Sequence, residues 1–416
     1  MSKKVKVLHV VGPSRGGMRT HLSNLIEVID RSTFYIVVAC PEDAAISACL
    51  ERCRWKHEPF SVPEGLSHPR DAAKVIALAR LIRRVEPEIC HFHGFKAAAL
   101  GRAAARVLER VRAFHRPGTD LAHSARGGYR PAVVYTVHNS VLARARGSPQ
   151  GRLCAYLERA LAPVTDRVIT VSAALRDEYA SIPGLGPHKV RHIPNGVALD
   201  RFGGGHQGGV SFPEAKAGAR SALGCRTDAV LIGTAARLIP DKGVGVLVHA
   251  LARLRRWGLR PMALIAGDGP ARRDLEALAA RLGVANQLRF LGFVEDMARF
   301  YAAIDVFVLP SLSEGMPLSL LEAMAAGVPV VATRTPGTEE VVAPGMGWLA
   351  APGDDLGLAV CLKECLLHPW EADQMAACAR AEVRQRFSIE GMVRATQEVY
   401  IEALSDRTRP LRDGPR

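Results

Sequence analysis

"DVFVLPSLSEGMPLSLLEAMAAGVPVVAT", residues 305–333, reads in one run as strand, turn, helix, turn and strand. Residues 305–309 form a short apolar segment that ends at Leu309-Pro310, and 328–332 form another. Pro317 suits the first helical position, where its missing N–H would have no helical partner anyway. Strands apolar on both faces, joined through a helix, imply a parallel sheet covered on both sides. Two glutamates interrupt this apolar run. Glu314 lies in the turn at the carboxyl end of the first strand, while Glu322 lies among Leu318, Leu320, Leu321, Ala323, Met324, Ala325 and Ala326. A carboxylate in such company needs hydrogen-bond donors.

The same alternation fills the chain. Further strands are predicted at 5–11, 34–39, 88–92, 132–137 and 166–171, and again at 229–234, 261–266 and 287–291. Between them run helical stripes, for example Met18, Leu22, Leu25, Ile26 and Ile29, or Val244, Leu247, Val248, Leu251 and Leu254. The fold class is therefore α/β, with two doubly wound parallel sheets and ligands at the carboxyl ends of the strands. A length of 416 residues suits two domains of roughly 200 residues each. The Gly/Pro-rich stretch "IPNGVALDRFGGGHQGGVSFPEAKAG", 193–218, marks a linker and a surface loop. The expected division is 1–196, 197–386, a helix at 387–404 that packs back on the first domain, and a disordered tail at 405–416. A second loop is expected at 115–131.

Composition excludes several classes. No stretch approaches the ~20 apolar residues of a membrane span. The opening "MSKKVKVLHVVGPSRGG" reads as a buried first strand and a turn better than as a signal peptide. Nine cysteines without a C-x-x-C pair read as buried thiols in a reducing cytoplasm, and no ligand spacing supports zinc. The net charge of +14 is carried by the first half: residues 1–195 hold 30 Lys+Arg against 16 Asp+Glu, and 196–416 hold 25 of each. Arg102, Arg106 and Arg110 repeat every four residues on the helix from Phe95, and Arg112 and Arg116 extend the basic region. That stripe is expected to meet anionic lipid. Aromatic content of 6% and the lack of a nucleic-acid motif argue against nucleic acid as a partner.

Three constellations suit anions. In "PSRGGMRTHLSNL", 13–25, Gly16 and Gly17 open a helix after the first strand. In "AARLIPDKGVGVLVHAL", 235–251, Arg237 ends a strand and Lys242 stands where the next helix begins, a pair suited to a diphosphate. The N–H groups around Gly315 and Met316 form a third anion-receiving end. Histidines stand at two strand ends, His91 and His93 in "EICHFHGFK" and His138 in "VVYTVHNS". No D-x-D occurs, so fixed cations would have to neutralise a leaving diphosphate.

Glu314 and Glu322, eight apart, resemble the E-x7-E signature of the retaining family-four glycosyltransferases of the GT-B fold. Arg237 with Lys242, "AGDGP" at 266–270, "LRFLGFVED" at 288–296 and "IPNGVALDRF" at 193–202 resemble the same family in its usual order. The resemblance implies two Rossmann-like domains facing a central cleft, with the acceptor on the first and a sugar nucleotide on the second. It implies that Glu314, His138, Arg237 and Lys242 act in the reaction. Arg237 and Lys242 would hold the donor diphosphate, Glu314 the sugar hydroxyls and Glu322 the ribose. The backbone at Gly315, Met316, Pro317 and Leu318 would face sugar and phosphate, Val294 would contact the base, and Gly16 and Gly17 would close over the phosphate. His93 is a candidate on the acceptor side. No cofactor or metal is implied. The expected activity is metal-independent, retaining hexosyl transfer from a nucleotide sugar, a UDP-sugar before GDP-mannose, to a lipid-linked or cell-envelope glycan acceptor. The expected location is the cytoplasm, at the inner face of the membrane.

Three stretches depart from the family pattern: Pro336 and Glu339 in "TRTPGTEEVV" (333–342), the side chains after the glycines in "GGMRTHL", and the region 102–131. They bear on the substrates. Two rivals remain: a sugar-nucleotide epimerase of the same fold, which would alter the donor sugar without an acceptor, and a polyanion-binding module.

Overall fold

The computed structural model describes residues 4–13, 16–42, 44–63, 65, 69–113, 130–140, 142, 148–202 and 212–408. The chain divides into two compact units, one of Met1–Pro194 with Met392–Arg416, the other of Asn195–Gly391.

Among the described residues of the first unit, seven strands form one sheet: β1 (Val5–Val11), β2 (Phe34–Cys40), β3 (Lys56–Pro59), β4 (Ile89–His93), β5 (Ala132–Val137), β6 (Arg167–Thr170) and β7 (Val190–His192). Their order is β3-β2-β1-β4-β5-β6-β7, and every pairing is parallel. The central strands are buried along their length, as apolar sequence on both faces requires. The second unit has six strands in the order β10-β9-β8-β11-β12-β13. They are β8 (Leu231–Ala235), β9 (Met262–Ala266), β10 (Leu288–Gly292), β11 (Val306–Leu309), β12 (Val330–Thr333) and β13 (Trp348–Ala350). The helix Val244–Arg256 turns Leu247, Leu251 and Leu254 onto Ile232, Val306 and Val331, one continuous core. Both units are thus doubly wound parallel α/β layers.

Several expectations need correction. β3, β7 and β13 were not foreseen; each is three or four residues long and closes a sheet edge, so no two-sided apolar run announces it. Pro317 is not the first helical residue: it is the N-cap of Leu318–Ala325, with an extended ψ of 113°. Part of the expected loop at 193–218 is helix, Phe212–Ala222. The last helix runs from Ile389 to Thr408, past the expected start of the tail. It supplies the Tyr400 hydroxyl to His91, the Gln397 carboxamide to the Asp30 N–H, and Glu402 to Arg167 and Arg191, all within the first unit. Most cysteines are buried, but Cys378 is exposed. Among the described residues no helix is long and apolar enough to cross a membrane.

The basic stripe fails at its first member. Arg102 is 0% exposed, and its guanidinium holds Glu158 with two bonds of 2.7 and 3.0 Å. It also donates to the Ala98 carbonyl and stacks over Tyr135. A guanidinium with no exposed surface cannot meet lipid. Arg106 is half-buried and donates to the Ala160 carbonyl, whereas Arg110 is exposed. The side chains of Arg112 and Arg116, the loop at 115–131 up to Tyr129, and residues 203–211 and 409–416 lie outside the described residues.

Candidate active site

In the second unit the strand order reverses between β8 and β11, and a doubly wound sheet opens its ligand crevice at that point. Arg237 follows β8 and is exposed; Glu314 follows β11. The turn Pro240–Lys242 leads into Gly243, whose φ of 61° favours glycine. A Cβ on Gly243 would stand 1.9 Å from the Pro310 carbonyl oxygen, so only glycine permits the two loops to touch. The Leu312 N–H donates to the Asp241 carbonyl at 2.8 Å and fastens them. This lacing brings the Lys242 ammonium to 2.7 Å from the Glu314 carboxylate. A cation and an acceptor carboxylate stand side by side, an arrangement suited to phosphate next to hydroxyls.

The loop is also supported by the departure noted in sequence. Thr335 caps the helix Pro336–Glu339 in a reciprocal box with Thr338, and Pro336 takes the first helical position. Gly337 then packs beneath Glu314: a Cβ there would lie 2.2 Å from the Gly315 carbonyl oxygen. Gly315, Met316, Pro317 and Leu318 are buried, and the Asn195 carboxamide donates to the Met316 carbonyl at 2.9 Å. Val294, past β10, is half-buried.

Glu322, on the helix Leu318–Ala325, is 9% exposed and accepts a hydrogen bond from the Tyr301 hydroxyl at 2.9 Å. Burial disfavours its charge and pushes its pKa up to about 7, against the pull of Tyr301 and Arg201. Sequence reasoning asked for a donor and missed Tyr301, which the fold brings from another helix, Met297–Ala303.

In the first unit Gly16, at φ 137°, caps the helix Gly17–Val28; both glycines are exposed. His93 is 1% exposed, and its ring nitrogens meet His9 at 3.0 Å and His138 at 3.4 Å. It lies behind the surface, covered by the rings of His9, His21, His91 and His138. His138 is half-buried, and His21 packs edge-on against it. Burial and His21 hold the pKa of His138 below the usual imidazole range. His9 and His21 were missed in sequence; a lone polar residue amid the apolar run of β1 was the available signal.

Two sheets of this type, the second with charged loops at its reversal point, define a doubly wound α/β class whose ligand crevice lies at that point. "Glycosyltransferase Family 4" matches residues 15–201, and "Glycosyl transferases group 1" matches residues 229–368. The chain is 33% identical to a D-inositol 3-phosphate glycosyltransferase of Saccharomonospora viridis over 327 residues, 71% of this chain and 73% of that one. It is 27% identical to the UDP-Gal:alpha-D-GlcNAc-diphosphoundecaprenol alpha-1,3-galactosyltransferase of Escherichia coli over 346 residues, 82% of each. In fold it is similar to Anabaena HepE, solved with UDP and glucose, at a TM-score of 0.76 and 23% identity, covering 95% of this chain and 98% of that one. The chain belongs to the family-four glycosyltransferases of the GT-B fold, enzymes that take a sugar from a nucleotide-sugar donor. An epimerase of the same fold is not favoured by these matches.

Proposed function

We propose that the protein is a retaining, metal-independent hexosyltransferase that uses a UDP-sugar and acts on a lipid-linked or cell-envelope glycan acceptor. The Lys242–Glu314 pair, held by the glycine contacts of the two loops, carries the reading. Lys242, with Arg237, neutralises the diphosphate as it leaves; Glu314 accepts from the sugar hydroxyls; Glu322 accepts from the ribose. The loop from Gly315 to Leu318 and Val294 complete the donor side. Gly16, Gly17 and His138 serve the donor from the first unit. Fixed cations stabilise the developing charge without a metal. UDP and a lipid diphosphate are favoured because the Escherichia coli relative is named for both, and HepE has been solved with UDP-glucose.

A membrane-surface role fits a revised patch. The helix Pro149–Leu161 exposes Arg152, Leu153, Tyr156 and Arg159, and Tyr156 is 68% exposed. Arginines interleaved with an aromatic and a leucine suit anionic headgroups at the cytoplasmic leaflet.

The test is transfer assayed with UDP-sugars and GDP-mannose, with and without EDTA. Transfer from a UDP-sugar that survives EDTA, with the anomeric configuration kept, is expected. Glu314→Ala and Lys242→Ala should each lower kcat/KM about a hundredfold or more. Exclusive use of GDP-mannose, rescue of chelated enzyme by Mg²⁺, or folded variants of full activity would each overturn the corresponding part.

A further inference from the structure

Five imidazoles converge in the first unit. His9 lies on β1 in register with His91 on β4, so their side chains neighbour each other, and His93 follows two residues on. His138 lies just past β5, and His21 comes from the helix Gly17–Val28. Three of the rings are joined in series: His9 Nδ1 to His93 Nε2 at 3.0 Å, then His93 Nδ1 to His138 Nε2 at 3.4 Å. His91 stands aside. Its nitrogens meet the Tyr400 hydroxyl at 2.6 Å and the Thr136 hydroxyl at 2.7 Å. At the far end His9 Nε2 is buried without a partner.

Two trios here, His9/His91/His93 and His21/His93/His138, are close enough to suggest a metal. A metal needs lone pairs that converge and are uncommitted. Both nitrogens of His93 and both of His91 are already engaged. Neither trio offers three ligands.

The series does something else. A neutral imidazole has one N–H and one lone pair, so His93 must donate on one side and accept on the other. The direction chosen at one end is therefore imposed at the other. If it ran inward, from His138 to His9, His9 would be left with a buried N–H and no acceptor. Unpartnered buried N–H groups are rarer than under-used acceptors. Running outward, His9 Nδ1–H donates to His93, His93 Nδ1–H donates to His138 Nε2, and only a lone pair is left bare. Desolvation, with mutual repulsion of the rings, keeps them neutral: the pKa of His9 falls to about 3, and those of His91, His93 and His138 lie well below the usual imidazole range.

We infer that His9 and His93 are positioning residues that fix the tautomer of His138, so that Nε2 accepts from within the protein and Nδ1–H is the donor left for the substrate. This rests on the reading of His138 as a substrate-facing residue. Its ligand is then an oxygen acceptor, a sugar hydroxyl or a phosphate. In this state His138 is a hydrogen-bond donor and not a base.

The experiment is ¹⁵N NMR of the full-length protein labelled at histidine, with His138 assigned by His138→Gln. Imidazole nitrogen shifts separate N–H from bare nitrogen, so the spectrum reads the tautomer without reference to catalysis. His138 is expected to carry its proton on Nδ1, although a free imidazole favours Nε2. In His93→Phe, which keeps an aromatic ring stacked between His9 and His138, the proton should move to Nε2. His93→Asn, with an amide N–H near the place of Nδ1, should restore Nδ1–H. Kinetics should follow, with kcat falling about tenfold in His93→Phe and recovering in His93→Asn at a little-changed donor KM. A wild-type His138 protonated on Nε2, or one unmoved by His93→Phe, overturns the inference. Unimpaired transfer by His138→Gln would instead remove His138 from the reaction, while the spectra still decide whether the series fixes its tautomer.

Discussion

Glu322 carries a cost that titrates. Its folded pKa of about 7 stands above the ordinary 4.5, so the folded protein holds this proton more tightly than the unfolded chain. The neutral form's stability is fully present below about pH 4.5 and is lost as the pH rises through 7. A shift of that size amounts to about 3 kcal/mol. Glu322→Gln should therefore stabilise the protein by up to about 3 kcal/mol at pH 8, a gain that shrinks as the pH falls toward 5. Urea denaturation at several pH values measures it, and a pH-independent difference would mean that Glu322 ionises in place without penalty. The same variant should raise the donor KM. Glu322 was legible because a carboxylate in an apolar helix is conspicuous. Tyr301 was not, since only folding brings that hydroxyl within reach. The histidine series was hidden for the same reason: it depends on the register of β1 against β4, and no local spacing encodes register.

Between elements, the Arg102–Glu158 pair joins the helices Phe95–Ala113 and Pro149–Leu161. Both side chains are fully buried. Removing one partner strands a buried charge, so Arg102→Ala should cost about 3–5 kcal/mol. Arg102→Met combined with Glu158→Leu should recover most of that, as judged by urea midpoints. Arg152→Gln with Arg159→Gln should leave stability nearly unchanged but reduce sedimentation with anionic vesicles at low salt. Undiminished vesicle binding by that double variant would remove the patch from consideration. A four-residue spacing reports which residues share a helical face; it does not report what covers the face. Arg102 read as lipid-facing because Glu158, the partner that buries it, lies 56 residues away in sequence. Strands followed the opposite rule. β5 and β11 announce themselves by being apolar on both sides, whereas the edge strand β3, "KHEP", has one open flank and nothing to distinguish it from a loop.

For the molecule as a whole, the chain leaves the first unit at Pro194 and returns to it at Met392. The returning helix buries Val399, Tyr400 and Ala403 and satisfies His91. A chain ending at Gly391 should keep a cooperative second unit and lose the first unit's melting transition, as calorimetry would show. Two intact transitions would mean the helix is dispensable. The expected sequence division near residue 197 came from Gly/Pro density; the return was expected at 387, but its exact crossing at Met392 has no such marker, because Ile389–Thr408 runs through it as unbroken helix. That crossing has a consequence for biosynthesis. The second unit is complete when Gly391 leaves the ribosome, but the first, begun earlier, still lacks its last helix. At about 5–20 residues per second, roughly 10–40 s separate the emergence of Pro194 from that of Met392. During that interval the nascent first unit exposes the apolar seat of Tyr400, the stretch of synthesis in which it is most open to aggregation.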